Sequence, residues 1–325
     1  MCIRDSRDYL LDGLEALGLE VQVQRTVGVN REIHTFATVE NVLARLPGSA
    51  GLGGKAVLLV GHYDSVPSGP GAADNASAVA TLLETARALQ AGEPLQNDVI
   101  LLFSDAEELK LLGAEAFARE HPWMADIGLV LNFEARGHRG PVYMFESSPG
   151  NRRLIAGLAE AAPHPVANSL MYEIYRNLPN DTDFTIFKEA GLPGLNFSFI
   201  EGATHYHSPL DSVENLDLGS LQHHGSYALA LTRYFGDQDL NQPEGEDAVY
   251  FDLFGRYLVH YPAAWAVPLA ALIGLAYLGV FFLARRKGSI SVMGVVWAAL
   301  LTLASALIAG VLGLSLIHIS EPTRP

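Results

Sequence analysis

Residues 56–89 read AVLLVGHYDSVPSGPGAADNASAVATLLETARAL, and the fold is decided here. AVLLV at 56–60 is short and wholly apolar, as expected of a strand covered on both faces of a sheet. The loop over 61–73 is rich in Gly, Pro and Ser, which interrupt regular structure. Residues 76–89 then carry Ala and Leu at helical spacing, and Asp74 or Asn75 is placed to cap that helix. Strand, loop and helix in this order form one βα unit.

The unit recurs along the chain. A buried strand at 99–103 precedes a helix over 106–119. Strands follow at 129–133, 142–145 and 195–200, with helices at 152–162, 184–189 and 218–235. Pro163, Pro165 and Pro179 mark an intervening loop. Upstream, Leu10, Leu11, Leu14 and Leu17 predict a helix over 9–19 that Gly18 ends, and strands are expected at 21–25 and 39–46. This alternation predicts an α/β domain over 7–240: a mostly parallel mixed sheet with helices on both faces. Sites in such sheets gather at the carboxyl ends of the strands.

Acidic residues outnumber basic ones 36 to 21 in the 325-residue chain, a formal charge of −15. That balance excludes nucleic acid as a partner, because phosphate binding needs a basic surface. One cysteine, Cys2, leaves room for neither a disulfide framework nor a thiolate metal site. Residues 241–262 read as a polar, acidic linker. Beyond them, 263–284 is uncharged and long enough to cross a bilayer, which takes about 20 residues. Residues 290–314 form a second such span. Arg285, Arg286 and Lys287 between the spans are expected in the cytoplasm, which puts the α/β domain on the extracytoplasmic side of a lipid bilayer. The ends, MCIRDS (1–6) and LIHISEPTRP (316–325), read as non-native additions and take no part in the fold.

Acids and histidines follow the predicted strands in order. His62 and Asp64 follow the strand at 56–60. Asp105, Glu107 and Glu108 follow 99–103, and Glu134 follows 129–133. His205 and His207 follow 195–200, and Asp74 begins the helix at 76. Singly, each has an ordinary reading; a Glu-Glu pair at a helix start, for example, complements the helix dipole. Together, at one level of successive units, these carboxylates would repel one another without a cation. Imidazole and carboxylate are suitable zinc ligands.

GHYDS (61–65), GAADNAS (71–77), Glu107-Glu108, NFEARG (132–137) and YHSPLD (206–211) resemble the M28 family of zinc aminopeptidases. The likeness is greater to the membrane-bound branch that includes the endoplasmic-reticulum metallopeptidases and bacterial relatives, and NDTDF (180–184) and PGLNF (193–197) share in it. It extends over about residues 8–235. It implies a zinc-dependent exopeptidase fold, a peptide substrate and two zinc ions. His62 and Glu134 would hold one ion, Glu108 and His207 the other, and Asp74 would bridge them. Glu107 would be the general base. Asp64 would orient His62, as ligating histidines usually require. Tyr206 would stabilise the oxyanion. His207 is preferred to His205 because Tyr-His followed by Asp211 fits the family pattern. Asp211 is expected either to orient His207 or to cap a turn. Arg136 could meet a substrate carboxylate or amide, or form a surface ion pair. Asp183 matches a family position loosely, with Phe184 where relatives carry histidine. His223 and His224 read as structural.

Three other readings compete. M20-type peptidases share His-x-Asp-x-x-Pro (62–67) and a Glu pair, but they insert a lid domain before the last histidine, whereas core elements fill residues 135–206 here. A glutaminyl-cyclase-type acyltransferase would use the same fold with one zinc. A non-catalytic binding ectodomain would have lost ligands that this chain keeps.

Overall fold

The computed structural model describes residues 3–50, 54–242 and 245–320. The chain runs α1 (Ile3–Ala16), β1 (Glu20–Asn30), β2 (Thr35–Leu46), β3 (Ala56–His62), α2 (Ala76–Gln90), β4 (Asp98–Ser104), α3 (Leu112–Glu120), β5 (Ile127–Ala135) and β6 (Arg139–Ser147). It continues through α4 (Arg152–Ala161), β7 (Val166–Ala167), α5 (Ser169–Tyr175), α6 (Asp183–Glu189), β8 (Gly194–Glu201) and α7 (Leu218–Gly236). Eight strands form one sheet in the order β1-β2-β4-β3-β5-β8-β6-β7. The central four, β4, β3, β5 and β8, are parallel, β2 runs antiparallel to β1 and β4, and β6 runs antiparallel to β8 but parallel to β7. This is the expected mixed α/β sheet.

Every residue of β3, β4 and β5 is buried, which explains their continuous apolar runs. Alternate side chains go to opposite faces. Val57, Leu59, Leu101, Phe103 and Leu131 join Leu82 of α2 and Leu231 of α7 in the larger core. Leu58, Val60, Ile100 and Leu102 join Phe117 of α3 and Phe187 of α6 in the second. Covered on both faces, the sheet leaves its strand ends as the place where polar side chains can collect.

Three expectations change. The helix predicted over 106–119 begins only at Leu112. Ala106, Lys110 and Leu111 have φ of 57°, 76° and 63°, a left-handed backbone that ends β4 in a turn. A Cβ at Gly113 would collide with the Asp105 carbonyl oxygen, so the helix packs too closely on this turn for any other residue. Glu107 and Glu108 therefore lie on the turn, not on a helix. The loop around Pro163 and Pro179 contains β7 and α5, whose start is capped by the Asn168 side chain accepting from the Met171 N–H at 2.8 Å. The linker expected at 241–262 contains a hairpin, β9 (Ala248–Leu253) and β10 (Tyr257–Pro262). Ala248, Tyr250 and Leu258 are buried in the larger core, an inward alternation that the acidic composition masked.

Arg45 and Asp98 form a buried pair at the start of β4. Asp98 Oδ2 accepts from Arg45 Nε at 2.7 Å, and Oδ1 accepts from the Gly48 N–H at 2.6 Å. Their side chains are 9% and 4% exposed; loss of Asp98 leaves the Gly48 N–H without its acceptor and Arg45 with Asp126 alone, at 2.8 Å. Asp98→Ala is expected to cost about 2 kcal/mol, read from chemical denaturation in detergent micelles.

A second unit begins at Ala264. It holds α8 (Ala266–Arg286) and α9 (Val292–Ser320). Two stretches, Ala263–Arg286 and Val292–Ala309, are long and apolar enough to cross a membrane. Of the end segments expected to be non-native, residues 3–6 lie in α1 and 316–320 in α9; residues 1–2 and 321–325 lie outside the described residues.

Candidate metal centre

His62 is the last residue of β3, level with Ser104 at the end of β4. Its Nε2 lies 3.2 Å from Asp74 Oδ1 and 3.5 Å from Glu134 Oε2. The other Asp74 oxygen, Oδ2, lies 3.1 Å from His207 Nε2, which is itself 3.0 Å from Glu108 Oε1. Two groups therefore form, His62-Asp74-Glu134 and Asp74-Glu108-His207, each with its ligand atoms within 4.8 Å of one another. Asp74 belongs to both. His62, Glu107 and Glu108 make a third group of the same kind, although Glu107 Oε2 stands 4.0 Å from His62 Nε2.

The residues fit a divalent cation. Glu108 Oε1 and His207 Nε2 are buried, and neither makes a directed hydrogen bond despite their 3.0 Å separation. With one oxygen of Asp74 they lie within 4.8 Å of one another, close enough to share one ion. The electrostatics agree. Burial raises Glu107 well above the ordinary carboxylate range, and the nearby Glu134, Asp183 and Asp74 raise it further. Burial likewise lifts Glu108 and Glu134. Burial opposes charge on His62, but Glu107, Asp64, Asp74 and Glu134 overcome it and raise its pKa well above normal. His207 is similarly pushed up to about 9, against its burial, by Asp74 and Glu108. Without a metal, the two imidazoles must carry the positive charge that balances this acidic cluster. An all-nitrogen and oxygen donor set with histidine is suited to zinc.

Several neighbours hold these groups in place. The Asp64 carbonyl faces His62 Nδ1 at 3.0 Å, and its carboxylate accepts from the Glu107 and Glu108 N–H groups at 3.0 and 3.2 Å. Asp64 thus fastens the Glu-Glu turn as well as the imidazole. Asp211 does not meet His207; its carboxylate accepts from the N–H groups of Ala73 and Asp74, at 2.7 and 3.1 Å, and positions Asp74. Asn75 makes no cap on α2. Its Nδ2 donates instead to Phe133 O at 2.9 Å and Glu134 Oε2 at 3.1 Å, linking the start of α2 to β5. Sequence reasoning misses that role, since Asp-Asn before a helix reads as a cap.

His205 stands apart, its ring stacked on His138 at 3.8 Å. Tyr206 stacks on His207 at 3.7 Å, and burial raises its pKa, so its hydroxyl stays protonated. Asp183 is fully buried behind the site and takes the Ser104 hydroxyl; burial pushes its pKa up to about 7. His224 is wedged between Phe133 and Phe199, and burial lowers its pKa to about 3. The cluster opens into a cavity of about 820 Å³ whose far wall is α5 and the segment after it, with Leu170, Met171, Ile174 and Leu178. No functional signal marks this wall in the sequence beyond apolar residues four apart at Leu170 and Ile174.

Residues 41–232 match the sequence profile of Peptidase family M28. The chain is 33% identical over 259 residues to endoplasmic reticulum metallopeptidase 1 of Rattus norvegicus, covering 77% of this chain and 28% of that protein. It therefore spans little more than a quarter of this relative's length. A Zn-dependent exopeptidase from Parabacteroides distasonis superposes with a TM-score of 0.54 at 21% identity, over 71% of this chain and 89% of that one. A glutaminyl cyclase from Porphyromonas gingivalis does so with a TM-score of 0.55 at 21% identity, over 71% and 88%. Likeness at these identities extends to the fold alone.

Proposed function

Because the chain belongs to peptidase family M28, we propose that it is a zinc-dependent exopeptidase that removes residues from the N-termini of peptides. The observation that carries this reading is the pair of three-residue groups sharing Asp74 at the mouth of the cavity. His62 and Glu134 would hold one zinc, Glu108 and His207 the other, with Asp74 between them. When bound, zinc supplies Lewis acidity and acidifies water.

The chain's own residues then divide the remaining work. Glu107 is held near the metal positions by Asp64 but stands farther from His62 than Asp74 or Glu134 does. A carboxylate on the cavity wall beside the metal positions, and 4.0 Å from His62 Nε2, suits a general base. It takes a proton from water as the water oxygen bonds to the scissile carbonyl carbon. It returns that proton to the leaving amine as the C–N bond breaks. Tyr206, kept protonated beside His207, donates a hydrogen bond to the carbonyl oxygen as it gains charge.

The apolar helices of the second unit support membrane attachment. Arg285, Arg286 and Lys287 in the turn between them support a cytoplasmic turn. A single span separates that turn from the catalytic unit, which then lies on the extracytoplasmic side.

Digestion of a peptide library by the zinc-loaded chain, followed by mass spectrometry, tests the activity. Release of N-terminal amino acids is expected. Cyclised N-termini without release would identify an acyltransferase instead, and unchanged peptides together with negligible bound zinc would identify a binding domain.

A further inference from the structure

Two cations, Lys110 and Arg136, line the cavity beside the acidic cluster. Arg136 is the one fixed against it. It follows Glu134 by two residues at the end of β5, and its backbone N–H donates to Phe199 O at 3.1 Å. Its guanidinium carbon lies 5.6 Å from the centre of the Tyr206 ring, and that ring is stacked 3.7 Å from His207. Arg45 and Arg119 are paired with carboxylates. The Arg136 side chain makes neither an ion pair nor a hydrogen bond among the described residues, although carboxylates line the same cavity. A guanidinium that is exposed to the cavity, lies within cation–π distance of an aromatic ring and is otherwise unpaired is available to a carboxylate from outside.

We propose that Arg136 binds a carboxylate on the residue that leaves, so that the site selects either dipeptides with a free α-carboxylate or peptides with an acidic second residue. This rests on the exopeptidase reading. The Tyr206 ring, 5.6 Å from the guanidinium carbon and 3.7 Å from His207, separates the two, a reach of roughly two residues at about 3.5 Å each. Charge sets the direction. Arg136 repels a protonated α-amine and attracts a carboxylate. The substrate is thereby oriented with its amino end at the metal positions and its carboxylate at Arg136.

The test compares Leu-Ala, Leu-Glu-amide and Leu-Ala-amide as substrates for the zinc-loaded full chain in detergent micelles. The wild type should favour at least one carboxylate substrate over Leu-Ala-amide by roughly 10–100-fold in kcat/KM, mostly through KM, the range for a charge-assisted pair. Arg136→Gln should erase that preference, and Arg136→Lys should restore part of it. Preference for Leu-Ala identifies the α-carboxylate as the group bound; preference for Leu-Glu-amide identifies the side chain. A structural role would slow all three substrates together. That result, or a preference unchanged in Arg136→Gln, overturns the proposal. Failure of the wild type to cleave any of the three overturns the exopeptidase reading instead.

Discussion

Glu107→Gln is expected to lower peptide hydrolysis by roughly 10²–10⁴-fold while the chain keeps the zinc content of its parent. The substitution preserves shape and removes only the ability to take a proton. Asp64 grips the Glu107 backbone N–H, so the turn and its neighbour Glu108 should stay where they are. The geometry also supplies a sharp alternative, because Glu107 belongs to a third cluster with His62 and Glu108. If Glu107 were a ligand, the amide would weaken metal binding, and zinc and activity would fall together. Metal analysis beside initial rates separates the two roles. Full activity in the variant would end the assignment of Glu107 as the base.

Asp74→Ala should have the largest effect on metal binding. Its two oxygens lie 3.2 Å from His62 Nε2 and 3.1 Å from His207 Nε2, so one side chain serves both groups. Loss of a residue that merely orients a ligand weakens metal affinity about 10–100-fold. Loss of a shared ligand should exceed that range at both positions and take activity with it. Zinc content after dialysis is the readout, with far-ultraviolet circular dichroism to confirm that the chain is folded. Zinc retained at the parental level would refute the bridging role. Asp211→Ala offers an instructive contrast. It removes the acceptor for the Ala73 and Asp74 N–H groups but no ligand, so its loss should stay within the smaller range.

Much of this site is legible in the order of the residues alone. AVLLV and the apolar run at 99–103 mark strands covered on both faces, and each is followed within a few residues by a histidine or an acid. Parallel strands bring their carboxyl ends to one edge, so His62, Glu108 and Glu134 must gather there once the strands are recognised. Local periodicity does not extend to the turns. The Glu107-Glu108 pair reads as helix because its neighbours are helix formers, yet left-handed residues at Ala106, Lys110 and Leu111 hold it in a turn. The acidic stretch before the apolar helices reads as a linker because composition averages away the alternation that buries Ala248 and Tyr250.

The sheet class, the edge where the acids and histidines collect, and the two apolar helices all follow from patterns repeated over a few neighbouring residues. The choice of histidine does not. His205 and His207 share a loop, but packing stacks one on His138 and brings the other to Asp74. Packing likewise makes Asp64 fasten a turn 43 residues away, and makes Asp211 hold Ala73 across a separation of 138. It also places the unpaired Arg136 against Tyr206. These choices depend on single hydrogen bonds and ring contacts between distant segments. Such contacts have no period along the chain, and they exist only once the sheet has brought the segments together.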